Sequence, residues 1–380
     1  MSRRGYLDWL RGVAVLIMIE AHTLDAWTRP ADHGRQGYGW ATILGGFGAP
    51  IFLLLAGIAL ALAAGSRLRK DHTPADVAAR ARRRGWQIVG LAFLFRLQSW
   101  VISGGEPERT LLKVDILNIM GIAMLAAAVL WGAGRGRWSR ALLLAGAAVA
   151  AAMLTPLIRT TPLLDVLPDP VEWYLRPSPG RTTFTLFPWA GFLLAGGALG
   201  TWLDSVRIDR DERRMMLVLA ALGPALAIGG YAASFLPAVY EQTDFWTSSP
   251  TFFFLRLGVV ISLVPMAYAW NVLVPGRSPL REFGVASLFV YWIHVEMVYG
   301  VVSTPLHRQL PLPGAVVAFV VFSLFLFALV KVKEHVVTTK WAAGSRQWAV
   351  GRGWRRPSES ALSAAGCPLP ASAAENITRA

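Results

Sequence analysis

The stretch RGVAVLIMIEAHTLDAW, residues 11–27, decides the fold. It is apolar over the length of a membrane span, yet it carries Arg11, Glu20, His22 and Asp25. An anchor needs none of them, and a charge held in hydrocarbon costs about 2.5 kcal/mol or more. On a helix turning about 100° per residue, Asp8, Arg11, Val15, Met18, His22 and Asp25 share one arc, with Glu20 on the opposite side. Such a polar stripe faces protein or water rather than lipid. At about 1.5 Å rise per residue, His22 sits roughly 16 Å beyond Arg11, past the middle of the bilayer. A carboxylate within reach of an imidazole fixes its tautomer and raises its basicity, which a general base needs. Asp25, one turn on, and Glu20 are the candidates for that role. The competing reading is a histidine buried for packing alone.

The rest of the chain extends the membrane reading. Of its 380 residues 54% are hydrophobic and 16% charged, too few charges to cover a soluble surface of this size. The sequence therefore predicts an all-α integral membrane protein, a bundle of about ten transmembrane helices. The apolar segments lie at 10–27, 41–65, 86–103, 115–132, 141–158, 183–203, 215–236, 252–273, 284–302 and 313–332. Alternate connections are strongly basic: RLRKDHTPADVAARARRR after the second segment, GRGRWSR after the fourth, DSVRIDRDERR after the sixth and GRSPLRE after the eighth. The positive-inside rule then puts these loops and both termini in the cytoplasm. Residues 1–340 are expected to form one multi-span domain, and 341–380 a disordered cytoplasmic tail rich in Gly, Ser, Ala and Pro.

The net charge of +14 sits in those basic loops, so it argues for topology and against nucleic acid. A subsidiary use is to attract anionic lipid or a phosphorylated ligand. Cys367 is the single cysteine, so neither a disulfide framework nor a thiolate metal site is expected, and no metal ligands are assigned. The first apolar stretch is too long and too charged to read as a cleaved signal peptide.

Other polar groups interrupt apolar runs. SLFVYWIHVEMVYG in the ninth segment sets Ser287, Tyr291 and His294 on one face and Glu296 and Tyr299 on another, with His294 at a depth similar to His22. KVDILNIMGIA puts Asp115 at the mouth of the fourth segment, where it can also act as a helix cap, with Asn118 one turn in. GRTTFTLFPWAGFLLAGGALG opens the sixth with Arg181 and a rigid Phe187-Pro188-Trp189. Arg96 lies inside the third segment, where topology does not call for it, whereas Arg84 belongs to the basic run before it.

YLDWLRGVAVLIMIEAH resembles the opening of the bacterial heparan-α-glucosaminide N-acetyltransferase-like proteins, within the broader transmembrane acyltransferase group. GAPIFLLLAGIAL, VDILNIMGIAML, FPWAGFLLAGGALG and SLFVYWIHVEM follow in the order that resemblance leads one to expect. It implies transfer of an acyl group, acetyl above all, from an acyl-CoA donor to a hydroxyl or amine of a sugar or lipid-linked glycan. It also implies a location in the bacterial inner membrane. The donor is a co-substrate, and no tightly bound cofactor is expected. The O-acetylating branch of the group points to His22 as the essential residue, whereas the lysosomal branch, with a histidine about eleven residues later, points to His33. Both histidines, with Asp25 and Glu20, are catalytic candidates. Asp115, Asn118, Arg181, Trp189, Tyr291 and His294 are acceptor-binding candidates, and Arg11, Arg84 and Arg96 are candidates for the donor phosphates. The expected partners are the bilayer, the donor, the glycan acceptor and a second copy of the chain. The strongest rival is a proton-coupled transporter using the same intramembrane groups, and a non-catalytic scaffold or sensor is a second.

Overall fold

The structure, a computed structural model, describes residues 4–102, 111–206 and 209–351, with side chains as far as residue 337. Among these residues every regular element is helical, and β structure is limited to two isolated bridges, Thr28 with Leu310 and Val114 with Thr182. The helices are α1 (Gly5–Trp27), α2 (Gln36–Gly45), α3 (Gly48–Leu68), α4 (Pro74–Ile102), α5 (Ile116–Ala133), α6 (Arg137–Thr160) and the short α7 (Asp169–Glu172). After them come α8 (Leu186–Leu203), α9 (Asp209–Ala233), α10 (Pro250–Leu273), α11 (Pro279–Val285), α12 (Ser287–Tyr299) and α13 (Leu312–Gly351).

Each of the ten expected segments overlaps a helix, and among the described residues seven helical stretches are long and apolar enough to cross a membrane. These are Gln36–Leu68, Ile116–Ala133, Arg137–Thr160, Leu186–Leu203, Asp209–Ala233, Pro250–Leu273 and Leu312–Val337. The other three fall short for physical reasons. α1 carries its four charged groups, α4 begins in the arginine run, and α12 has only 13 residues. The second expected segment also bends. Its helix stops at Gly45 and restarts at Gly48, so α2 and α3 are separate rods. The chain divides into two units, Met1–Val330 and Lys331–Ala380. α13 is helical to Gly351, and the expectation of a disordered tail beyond that point lies outside the described residues.

Helices in lipid satisfy their own backbone hydrogen bonds, so their association rests on close packing. Small residues supply it here. A Cβ on Gly57 of α3 would strike the Leu193 carbonyl and Gly196 of α8, and one on Gly196 would strike the Leu54 carbonyl in return. Gly85 of α4 and Gly121 of α5 meet in the same way. The outer surface of the bundle keeps large apolar side chains exposed, Leu142, Leu217 and Leu324 among them, as a lipid-facing surface requires. Around the inner polar region, α1 is fixed at its far end to the 308–310 segment, where Arg308 N–H donates to the Ala26 carbonyl and Leu310 N–H to that of Trp27. Trp292 of α12 donates its indole N–H to Gln98 of α4 at 2.8 Å. These ties bring α1, α4 and α12 around one space.

Candidate functional site

That space is a cavity of about 1140 Å³ lined by α1, α3, α4, α5, α12 and the 183–184 segment. On α1 it takes up Arg11, Met18, His22 and Asp25, four of the six residues of the stripe read from the sequence, while Asp8 and Val15 do not line it. Glu20, on the other side of that helix, does not line it and is buried against α2, beside Gly45.

His22 occupies one end. Its ring centroid lies 5.1 Å from that of His294 and 5.5 Å from that of Tyr299, the latter edge-on. Nδ1 of His22 is buried without a hydrogen-bond partner, and the residue lines the cavity. Asp25, expected to hold this imidazole, instead accepts a hydrogen bond from the Tyr299 hydroxyl at 3.0 Å. His294 stands behind the wall, fully buried, with Nδ1–H donating to the Val290 carbonyl at 2.9 Å and Nε2 unpartnered.

Farther round the same end, Arg96 of α4 pairs with Asp115 at 2.9 Å. Asp115 is the N-cap of α5: its Oδ1 accepts from the backbone N–H groups of Leu117 and Asn118, and Asn118 returns its carbonyl oxygen to the Asp115 N–H. The Asn118 amide also donates to the Tyr174 hydroxyl at 3.1 Å, which holds it out of the cavity. The capping reading and the site reading of Asp115 therefore hold together, since Oδ1 caps the helix and Oδ2 meets Arg96. Lys113, beside this pair, also lines the cavity, and burial together with the Arg96 charge pushes its amine below the usual range, against the pull of Asp115. Tyr291 and Glu296 of α12 complete the wall, the latter with a buried Oε1 that has no hydrogen-bond partner.

The opposite end is cationic. Arg67 from the end of α3 and Arg80, Arg83 and Arg84 from the start of α4 line it. Between the ends run Ala56, Ala59 and Ala63 of α3, a smooth apolar stretch. From Arg84 to Arg96 along α4 the rise is about 18 Å, at ~1.5 Å per residue, so one cavity joins two chemically different poles.

Besides Glu20 and His294, four further candidates do not line the cavity. His33 stacks on Tyr38, centroids 4.4 Å apart and 7° from parallel, and its Nε2 meets the Thr28 carbonyl at 3.2 Å. Arg181 lies over the Trp173 ring, its carbonyl taking the Val114 N–H. Trp189 follows a cis Phe187-Pro188 bond and packs edge-on against Phe184, which does line the cavity. Asn118 acts through the cap. Conversely, Lys113, Glu296, Tyr299, Arg67, Arg80 and Arg83 reach the cavity without having been singled out as site residues. For Tyr299 and Glu296 the signal was their shared face on the ninth segment. The three arginines sat in a run and a loop that topology already explained. Among the described residues no group of three His, Cys, Asp or Glu side chains is arranged to hold a metal ion.

Helices long and apolar enough to cross a bilayer, around a cavity with cationic and histidine-bearing ends, define a multi-pass membrane protein with an internal polar site. Residues 3–236 match the model of the heparan-alpha-glucosaminide N-acetyltransferase catalytic family, and the chain belongs to that family. It is a membrane-bound acetyltransferase. No curated protein matches the chain. The match covers α1 to α9, while α12, which brings Tyr291, Glu296 and Tyr299, lies beyond it.

Proposed function

We propose that this acetyltransferase takes its acetyl group from acetyl-CoA at the cationic end of the cavity and delivers it to a hydroxyl or amine of a sugar or lipid-linked glycan at the His22 end. The observation that carries the reading is the single cavity bearing both poles. Arg67, Arg80, Arg83 and Arg84 hold the donor's phosphates, the last three as exposed cations, and the alanine-lined middle accepts the narrow pantetheine arm. The thioester carbonyl then lies beside His22. As the acceptor oxygen or nitrogen bonds to that carbon, its proton passes to Nε2 of His22. The carbon–sulfur bond breaks, and the departing thiolate recovers the proton. Attack by Nε2 itself, to give an acetyl-histidine that the acceptor then resolves, uses the same geometry.

Two observations favour His22 over His33 as the base: it lines the cavity, and His33 is occupied by Tyr38 and Thr28. Asp25 and Tyr299 act on His22 as neighbours that shape its pocket, and the Arg96 and Asp115 pair, with Glu296, orients the acceptor. The basic connections support a donor end and both termini in the cytoplasm, a reading in which all ten helical segments cross a bacterial inner membrane. The test is acetyl transfer from labelled acetyl-CoA in membranes bearing wild-type protein or His22→Ala at equal folded abundance. Full transfer by the variant overturns the assignment.

A further inference from the structure

Two buried imidazole nitrogens face no hydrogen-bond partner at the His22 end. Nδ1 of His22 and Nε2 of His294 are both in this condition, and they belong to neighbouring rings, with centroids 5.1 Å apart and planes tilted by 38°. The two rings differ in how they are held. His294 is fully buried and does not line the cavity. Its Nδ1 meets the Val290 carbonyl, one turn back on α12, at 2.9 Å. A carbonyl only accepts, so Nδ1 carries the hydrogen and Nε2 keeps the lone pair. Tyr291 stands edge-on to the same ring, centroids 5.8 Å apart. His22 has no such tie, for its Nδ1 does not take the carbonyl one turn back on α1.

The chemistry of a base makes this difference matter. A neutral imidazole that is to receive a proton at Nε2 must already carry its hydrogen at Nδ1. A buried N–H with no acceptor is costly, and the ring escapes that cost by moving the hydrogen to Nε2, where it blocks the base. The working tautomer of His22 therefore needs an acceptor beside Nδ1. The carboxylates of α1 do not supply it: Asp25 accepts from the Tyr299 hydroxyl, and Glu20 is buried on the other side, beside Gly45.

We propose that His294 is the positioning residue of His22, its Nε2 accepting the Nδ1–H of His22 and so holding the tautomer whose Nε2 is basic. The proposal rests on the acetyl-transfer reading above, with His22 as the base. As the acceptor attacks, its proton passes to Nε2 of His22, and the resulting cation shares its Nδ1–H with His294. The thiolate then recovers the proton from Nε2. His294 gains and loses none, because its own hydrogen stays on the Val290 carbonyl. A neutral partner suits so buried a place, where a carboxylate would be a second charge to desolvate. Such a contact is commonly loose without substrate and tightens in the reacting complex.

The first test reads the tautomer. Ring-nitrogen NMR is recorded on the full-length protein in detergent with labelled histidine, the His22 signals being those lost in His22→Ala. An Nδ1–H form of His22 in the wild type that gives way to Nε2–H in His294→Phe supports the proposal. An Nε2–H form in the wild type, or a tautomer that His294→Phe leaves unchanged, overturns it. The second test is transfer from labelled acetyl-CoA to glucosamine, which offers both an amine and hydroxyls. His294→Phe should lower kcat about 10²-fold, with KM for acetyl-CoA within about twofold of wild type. His294→Gln sets a side-chain carbonyl oxygen where Nε2 was and should bring kcat back to within about tenfold of wild type. Equal losses in the two variants at equal folded abundance mean a packing histidine only and overturn the proposal. If His294→Phe does not fold, His294→Asn, whose shorter amide does not reach the Nε2 position, takes its place. Full transfer by His22→Ala overturns the acetyl-transfer reading, while the tautomer of His22 still decides the contact between the rings.

Discussion

The two ends of the main cavity hold their charges differently. At the His22 end Arg96 meets Asp115 and Asp25 meets Tyr299. At the other end, among the described residues, Arg67, Arg80 and Arg83 have no acidic partner, and Arg84 reaches only the amide of Gln87. Partnered charges fix geometry at a cost in desolvation, which suits an end where bonds are made. Unpartnered, hydrated cations cost little and attract polyanions over a distance of several ångströms, which suits an end where a phosphorylated donor enters. The contrast predicts that the first end governs kcat and the second governs KM for the donor.

The largest test is at the first end. His22→Ala should lower kcat for transfer by about 10²- to 10⁴-fold, the usual worth of a general base, whereas His33→Ala should change it by less than about twofold. The reverse ranking, read by labelled acetyl transfer, breaks the comparison. Asp115→Ala removes the α5 cap and leaves Arg96 buried alone, so it should cost about 3–5 kcal/mol of stability, measured as a lower unfolding temperature in detergent. Adding Arg96→Met should recover part of that loss. At the cationic end, Arg83→Ala with Arg84→Ala should raise KM for acetyl-CoA about five- to tenfold, each exposed charge being worth roughly 1 kcal/mol or less. Added salt should shrink that difference, and a matching fall in kcat would blur the division of labour.

The smallest expected effect belongs to neither end. The Leu312 backbone N–H, with Arg29 and Arg35, holds the Asp32 carboxyl below the usual carboxylate range, which lies near 3.9. A lowered folded value means that the stabilisation is complete above about pH 3.9 and fades as pH falls through the folded value. The gap in unfolding temperature between wild type and Asp32→Asn should therefore close on acidification, with acetyl transfer at neutral pH unaffected.

Much of this was legible in the chain. Apolar runs located the helices, and simple helical arithmetic put Asp8, Arg11, Val15, Met18, His22 and Asp25 on one stripe, of which all but Asp8 and Val15 line the cavity, and Glu20 away from it. What eluded the sequence depends on contacts between elements. Nothing near His33 in one dimension says that Tyr38 will stack flat on it. On α12 the helical wheel separates Tyr291 from Glu296 and Tyr299, yet all three line the cavity because α1 and α4 close on that helix from two sides. Arg80 and Arg83 were hidden for another reason. A basic loop is already required by topology, so composition leaves no residue of signal for a ligand. Asp25 shows the limit of proximity in sequence, since its hydrogen bond comes from Tyr299, 274 positions away.

The back of α3 has a bearing on its front. Ala56, Ala59 and Ala63 form one wall of the main cavity, and Gly57 on the reverse presses against Gly196 of α8. Because neither glycine leaves room for a methyl group, α3 sits as far back as a helix can. The bore of the cavity is thereby set from behind, at a joint between two helices. Gly57→Ala would drive α3 forward and narrow the passage, making a mutation in the bundle's packing behave as a change in the calibre of the acyl donor it admits.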